Sequence, residues 1–344
     1  MKPATRDALH FLRILLRPRR LVNALALYGS YQLSRVFKRS LHIGQPMAMS
    51  IEPTTACNLG CPQCPSGLKQ FSRPTGRMTA ARCAEILDQA GPELAYLILY
   101  FQGEPYLNKE FCGMIRAATD RGIYTATSTN AHFLDPETCR KTVEAGLSRM
   151  IISIDGSTQE SYAHYRIHGS LNKVLDGTRN MLEARRAAGS RFPYIIWQFI
   201  VFRHNEHEIE AVKQLAAEYG VDDLVIKSAQ VYDYENGEDW IPLQSNHTRY
   251  TYTEEGIRLK GELTNRCWKM WHSCVVTWDG RVVPCCFDKD ATHSLGELNE
   301  QSFRTIWRGP AYSRFRQQIL KGRSQIDICR NCSEGLRVFE KQVL

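Results

Sequence analysis

One short loop constrains this chain more than any other feature. Cys57-Asn58-Leu59-Gly60-Cys61-Pro62-Gln63-Cys64 carries three thiols at a spacing of x3 and x2, directly after the apolar segment 47–51. The 344 residues contain twelve cysteines, yet the N-terminus shows no apolar export segment with a cleavage site. A disulfide framework is therefore not expected, and metal or redox chemistry moves ahead. Structural zinc takes four protein ligands, and no fourth is present locally. Three thiolates suit a four-iron cube with one iron left open. The plain alternative is three buried cysteines that only pack.

The loop sits within a regular strand-then-helix rhythm. Strands are expected at 47–51, 96–101, 124–128, 150–154, 194–201 and 224–227, with helices at 80–90, 109–121, 136–145, 171–188 and 206–219. The strand segments are short and apolar, as when helices cover them. Right-handed crossovers then give an α/β fold with a parallel sheet, open or curled into a partial barrel. In such sheets ligands bind beyond the carboxyl ends of the strands. Four regions follow: 1–45, basic and helical; 46–227, the βα repeat; 228–262, a polar connecting loop; and 263–344, a second cysteine-bearing module.

In that last module Cys267 is followed by Gly280, Cys285 and then Cys329-x2-Cys332. Residues 275–277 and 282–283 around Asp279-Gly280 read as a β-hairpin. A hairpin with a cysteine before and after it, plus a Cys-x2-Cys knuckle, suits a four-thiolate cage. Such spacing also suits a zinc ribbon. Cys286, next to Cys285 on a strand, is expected to point to the opposite face and is left out. Cys274 stays open, and Cys83, Cys112 and Cys139 read as packed small apolar residues.

The Cys-x3-Cys-x2-Cys loop after a first strand resembles the radical S-adenosylmethionine (SAM) superfamily, and Cys267 to Cys332 resemble its SPASM/twitch auxiliary-cluster region. The resemblance implies a partial (β/α)6 TIM-like barrel with a C-terminal SPASM/twitch-like module. It implies two [4Fe–4S] clusters, one on Cys57, Cys61 and Cys64 and an auxiliary one on Cys267, Cys285, Cys329 and Cys332. Gln102-Gly103-Glu104 stands where the family carries Gly-Gly-Glu, so Gly103 and Glu104 take the role of meeting the SAM amine. Ser128 and Asn130 after the third strand, and Ser153 and Asp155 after the fourth, take cofactor positions. Arg166 resembles the arginine that pairs with the SAM carboxylate, and Asn205 lies on the adenine-side loop. Each has a plain alternative: a turn at Asp155-Gly156, a solvated Arg166, a helix cap at Asn205. The activity implied is reductive cleavage of SAM to a 5′-deoxyadenosyl radical, which takes hydrogen from a substrate. That substrate is a peptide, or a small molecule, sugar or lipid precursor, and flavodoxin or ferredoxin is the external reductant. The class is an oxidoreductase or maturase-type enzyme; a non-enzymatic iron–sulfur electron-transfer or scaffold protein is the alternative.

Charge is distributed unevenly. Residues 1–39 hold nine bases and one acid, leaving 35 basic and 35 acidic side chains beyond them. A neutral body argues against nucleic acid as a partner. The basic segment interleaves arginines with Phe11, Leu12, Leu15, Leu16, Leu21, Leu25 and Leu27. It reads either as a helical arm packed on the barrel or as a peripheral contact with an anionic membrane. No run of apolar residues is long enough to span one. The expected location is cytoplasmic, at the inner face of the membrane if the peripheral contact holds.

Overall fold

The structure, a computed structural model, describes residues 2–244, 246–334 and 336. Six strands lie parallel in chain order: β1 (Ala48–Ile51), β2 (Tyr96–Ile98), β3 (Tyr124–Thr129), β4 (Arg149–Ser153), β5 (Tyr194–Val201) and β6 (Asp223–Ser228). Alternate residues, among them Met49, Ile51, Leu97, Met150, Ile152 and Trp197, face the covering helices and form the main core. The helices start where side chains accept their first amides: Thr79 from Arg82, Asp135 from Thr138 and Ser170 from Lys173. These βα units form the partial (β/α)6 barrel.

Two departures from the sequence reading are instructive. Residues 228–262 are not all loop. A hairpin, β7 (Tyr250–Thr253) and β8 (Gly256–Leu259), turns at Gly256 and buries Tyr250 and Ile257 on one face. The C-terminal hairpin also does not stand apart from the barrel. Its strand β9 (Ser273–Val276) runs parallel to β1, pairing Ala48 with Ser273 through Ile51 with Val276. Antiparallel β10 (Arg281–Val283) and β11 (Gly296–Glu297) then extend one nine-stranded sheet. Hydrogen bonding on both edges makes β1 an interior strand, which fixes the loop that leaves it.

The amino end of the barrel is plugged. Tyr96, Tyr124, Arg149 and Tyr194 alternate with the core-facing residues, and helix Pro3–Leu15 packs against them. Phe11 meets Tyr96 and Tyr124 edge-on, and His10 lies against Tyr124 and Phe192. Asp7, 2% exposed, accepts hydrogen bonds from Tyr124 and Arg149. A charged side chain this deep is tolerated because it is paired. Asp7→Asn removes that charge and leaves Arg149, 31% exposed, without its partner. The expected cost is about 2 kcal/mol, less than for a fully buried pair because Arg149 keeps some water. Urea denaturation measures it; an unchanged midpoint would show that the plug does not hold the barrel.

Candidate active site

Every element of the site lies at a strand's carboxyl end. After β1 the chain turns through the cysteine loop, where Gly60 donates its amide to the Ile167 carbonyl (2.9 Å) and Cys64 to Cys61 (3.2 Å). Gly67 packs on this loop so closely that a Cβ there would lie 2.5 Å from the Cys61 amide nitrogen. Cys57, Cys61 and Cys64 cluster with Leu59, Tyr165 and Phe202. Burial pushes the Cys57 thiol up to about 12, with Glu104 and the other two thiols adding to it. Burial raises Cys61 too, while Arg166 opposes the shift.

After β2, Gly103 takes φ +73° and sits against the cysteine loop, where a Cβ would meet the Thr54 carbonyl at 2.4 Å. Only glycine fits both demands. The next amide, Glu104, donates to the Ala56 carbonyl at 2.8 Å. Gln102, which replaces the expected glycine, is usefully placed. The Ser66 hydroxyl reaches the Gln102 amide oxygen (3.2 Å) and itself accepts from the Gly103 amide (2.8 Å), closing the loop.

Glu104 is 2% exposed. Its carboxylate accepts from the Thr129 hydroxyl (2.8 Å), the Asn130 amide (2.8 Å) and the Tyr106 amide (3.2 Å). Burial nevertheless outweighs these bonds and pushes it up to about 7. Asn130 donates to Asn58 in the cysteine loop (2.7 Å). His132 accepts at Nε2 from the Ser170 amide (2.9 Å), so it is neutral and donates from Nδ1 to the Asn130 carbonyl (2.8 Å).

After β4, one Asp155 oxygen takes both Arg166 Nε and Nη2 at 2.6 Å, and the other accepts from the Ile200 amide (2.8 Å). Arg166 Nη1 points to the Cys61 sulfur at 3.8 Å. Arg166 is therefore an internal bridge and not a solvated helix residue. Asn205 is wholly buried and spends its amide on the backbone of Asp155, Ile200 and Phe202. It shapes the loop from behind. Ser128 and Ser153 stand on β3 and β4, and no hydrogen bond to either hydroxyl occurs among the described residues.

At the second site Cys267, Cys285, Cys329 and Cys332 line one enclosed pocket with Met270, Phe287 and Ile328. Among the described residues no three His, Cys, Asp or Glu side chains close on the position of a single metal ion. Arg323, fully buried, donates to the Cys332 sulfur at 3.1 Å. A buried guanidinium beside thiols offsets the charge they carry once ionised. Cys274 faces the core beside Tyr312 and Arg316, away from this pocket. Cys83 and Cys139 are buried in the core and Cys112 packs against it. Cys286 is exposed, but for a different reason than a strand's alternation. Pro284 follows the end of β10, so Cys285 and Cys286 lie in a turn, and Lys269 Nζ sits 3.8 Å from the Cys286 sulfur.

Sequence reasoning missed the pair that joins the two sites. Glu52 and Arg73, both 0% exposed, meet through two hydrogen bonds of 2.6 Å. Glu52 also accepts from the Trp278 amide, and Arg73 donates to the Lys289 carbonyl. No spacing rule connects residues 21 and 226 positions apart.

The chain belongs to the radical SAM superfamily. The family model for that superfamily matches residues 51–229, and a model for the SPASM iron–sulfur cluster-binding domain matches 267–333. Relatives include an AdoMet-dependent heme synthase of Methanosarcina barkeri, 26% identical, covering 83% of this chain and 91% of its own. A Pyrococcus furiosus protein that modifies the cofactor of a tungsten-containing aldehyde ferredoxin oxidoreductase is also 26% identical, over 77% and 82%. The fold is shared with Streptococcus suis SuiB bound to S-adenosylmethionine (TM-score 0.62, 13% identity, 83% and 70% coverage). It is shared too with anSMEcpe bound to AdoMet (TM-score 0.59, 16% identity, 86% and 93% coverage). The radical SAM and SPASM domains carry [4Fe–4S] clusters and SAM as cofactors, and the converging thiols fit that demand.

Anaerobically reconstituted protein is expected to carry about eight irons per chain, four per cluster. The triple change Cys57→Ala, Cys61→Ala and Cys64→Ala should leave about four, with broad absorbance near ~400 nm surviving. One zinc and no iron in that variant would assign the second pocket to a ribbon instead.

Proposed function

We propose that this radical SAM enzyme cleaves SAM reductively and uses the 5′-deoxyadenosyl radical to take hydrogen from a polar small molecule. The reading rests above all on Glu104, a buried carboxylate tied by backbone to the cysteine loop, with Arg166 bridging Asp155 and Cys61 across the same space. When bound to Cys57, Cys61 and Cys64, the cluster supplies the electron that breaks the sulfonium bond. Glu104 would receive the methionyl amine of bound SAM, and Arg166 would meet its carboxylate. Tyr165, Phe202, His204 and Trp240 form an aromatic cluster on the adenine side, with ring centroids 4.2 Å apart for Tyr165 and Phe202. Burial lowers His204 to about 4, so the cluster stays uncharged at neutral pH. An apolar wall of this kind keeps water from a reactive radical.

We place the substrate route at the open edge beside β6. There a cavity of about 990 Å³ lies between β6 and the C-terminal module, lined by Lys227, Ser228, Gln230, Arg249, Lys269 and Phe287. That volume is at the upper end of small-molecule sites. The second thiol set would hold the auxiliary cluster, passing on the electron left when a product radical is oxidised. Flavodoxin or ferredoxin would supply the first electron.

Dithionite and SAM should yield 5′-deoxyadenosine with the wild type and none with the Cys57/Cys61/Cys64 triple variant. Full cleavage by that variant would refute the assignment. The carboxylate gives a separate readout. An acid raised to about 7 is protonated below that pH, and only its ionised form attracts an ammonium group. SAM affinity should therefore fall about fivefold from pH 7 to pH 6, with the slope approaching one proton per pH unit only below that. Glu104→Gln should bind SAM weakly and without that pH dependence. Anaerobic equilibrium binding measures both, and an identical pH slope in the variant would remove Glu104 from the role.

A further inference from the structure

Helix Pro18–Phe37 is inside out. Beside Leu27 and Tyr31 it buries Arg20, Asn23, Ser30 and Ser34, and it exposes Val22 (66%), Leu25 (64%), Leu33 (48%), Val36 (74%) and Phe37 (60%). The buried polar groups are all matched. Arg20 donates to the Pro92 and Gly122 carbonyls, Asn23 exchanges two hydrogen bonds with Gln45, and Ser34 reaches the Leu41 carbonyl. The polar face is thus built to be covered by protein, and the apolar face is left outward. At 100° per residue Val22, Leu25, Leu33 and Val36 fall on one side of the helix. An apolar stripe of this extent marks an interaction surface.

Its surroundings are cationic. Residues 8–51 contain seven bases and no acid. A groove of about 680 Å³ runs along the helix between Val22 and Ala26 on one wall and Arg304 and Arg308 on the other, with Glu93, paired to Arg19, the acid in its lining. Two copies meeting through this face would bring these cations together, which disfavours self-association. No described helix is long and apolar enough to cross a membrane. We infer that this face lies on an anionic lipid surface, with its leucines and valines in the acyl boundary and its bases at the headgroups.

The structure also sorts the two readings of the basic segment. Phe11, Leu15 and Leu27 turn inward and serve the packed arm, whereas Leu12, Leu16, Leu21 and Leu25 stay exposed. Arg20 and Asn23 hold the helix against chain that precedes β1, β2 and β3, and Tyr31 packs on Trp271 ahead of β9. The exposed face therefore points away from the cysteine loops. Anchoring there leaves the mouth of the barrel open to water. This inference stands independently of the chemistry proposed above.

Truncation would remove the barrel plug, so the test uses the full chain. Wild-type protein is expected to sediment with phosphatidylserine-containing vesicles at low salt, less at high salt, and weakly with pure phosphatidylcholine. Leu25→Ser, Leu33→Ser and Val36→Ser together should lower that partition at least about tenfold. Lys38→Gln with Arg39→Gln should weaken only the phosphatidylserine-dependent part. None of these residues lies in the cysteine loop or lines the second thiol pocket, so 5′-deoxyadenosine formation without vesicles should be unchanged, which separates loss of binding from loss of fold. Equal sedimentation of the triple serine variant, or none of the wild type, would overturn the inference. So would a wild-type dimer in sedimentation velocity that the same three changes convert to monomer.

Discussion

The buried pair of Glu52 and Arg73 is the interaction on which the rest of the structure depends. Glu52 is the first residue past β1, Arg73 lies in the segment after the cysteine loop, Trp278 lies in the turn of the C-terminal hairpin and Lys289 beyond its second strand. One ion pair thus fixes the exit of β1, the return of the cysteine loop and the approach to Cys285. Burial raises Glu52, and its bonds to Arg73 pull it back toward ionisation. Such a pair adds little net stability over apolar packing, but loss of either partner leaves an unpaired buried charge costing about 3–5 kcal/mol. Its value lies in allowing one arrangement and penalising others.

The same low-dielectric logic governs the site. Burial raises the thiols of Cys57, Cys61, Cys267, Cys285, Cys329 and Cys332, and the Glu104 carboxyl with them. Binding iron therefore releases protons, and binding a cationic amine favours the ionised carboxylate. Arg166 beside Cys61 and Arg323 beside Cys332 place one guanidinium at each thiol set. They offset negative charge where water is excluded.

The two ends of the barrel are used differently. Its carboxyl end gathers thiols, carboxylates and an aromatic wall. Its amino end is closed by Asp7, His10 and Phe11, and helix Pro18–Phe37 crosses beneath it with polar side chains inward. The first forty residues, which look like an appendage by composition, are thus part of the barrel's floor.

Much of this was legible in the sequence because it is local. The x3–x2 thiol spacing, the Gly103-Glu104 step and the order of strands and helices depend on residues near one another in the chain. The six barrel strands appear where the rhythm puts them, with shifts of a few residues at their ends. Tertiary structure alone decided what depends on distant partners. The pairing of β9 with β1 needs residues 225 positions apart to be hydrogen-bonded neighbours. The 250–259 hairpin gains its buried face only because Tyr250 meets Val231 and Asn331. The helix at 18–37 is amphipathic in sequence, but which face turns inward is set by partners such as the Pro92 and Gly122 carbonyls that Arg20 reaches. Periodicity can mark a face; burial belongs to whatever the fold brings against it.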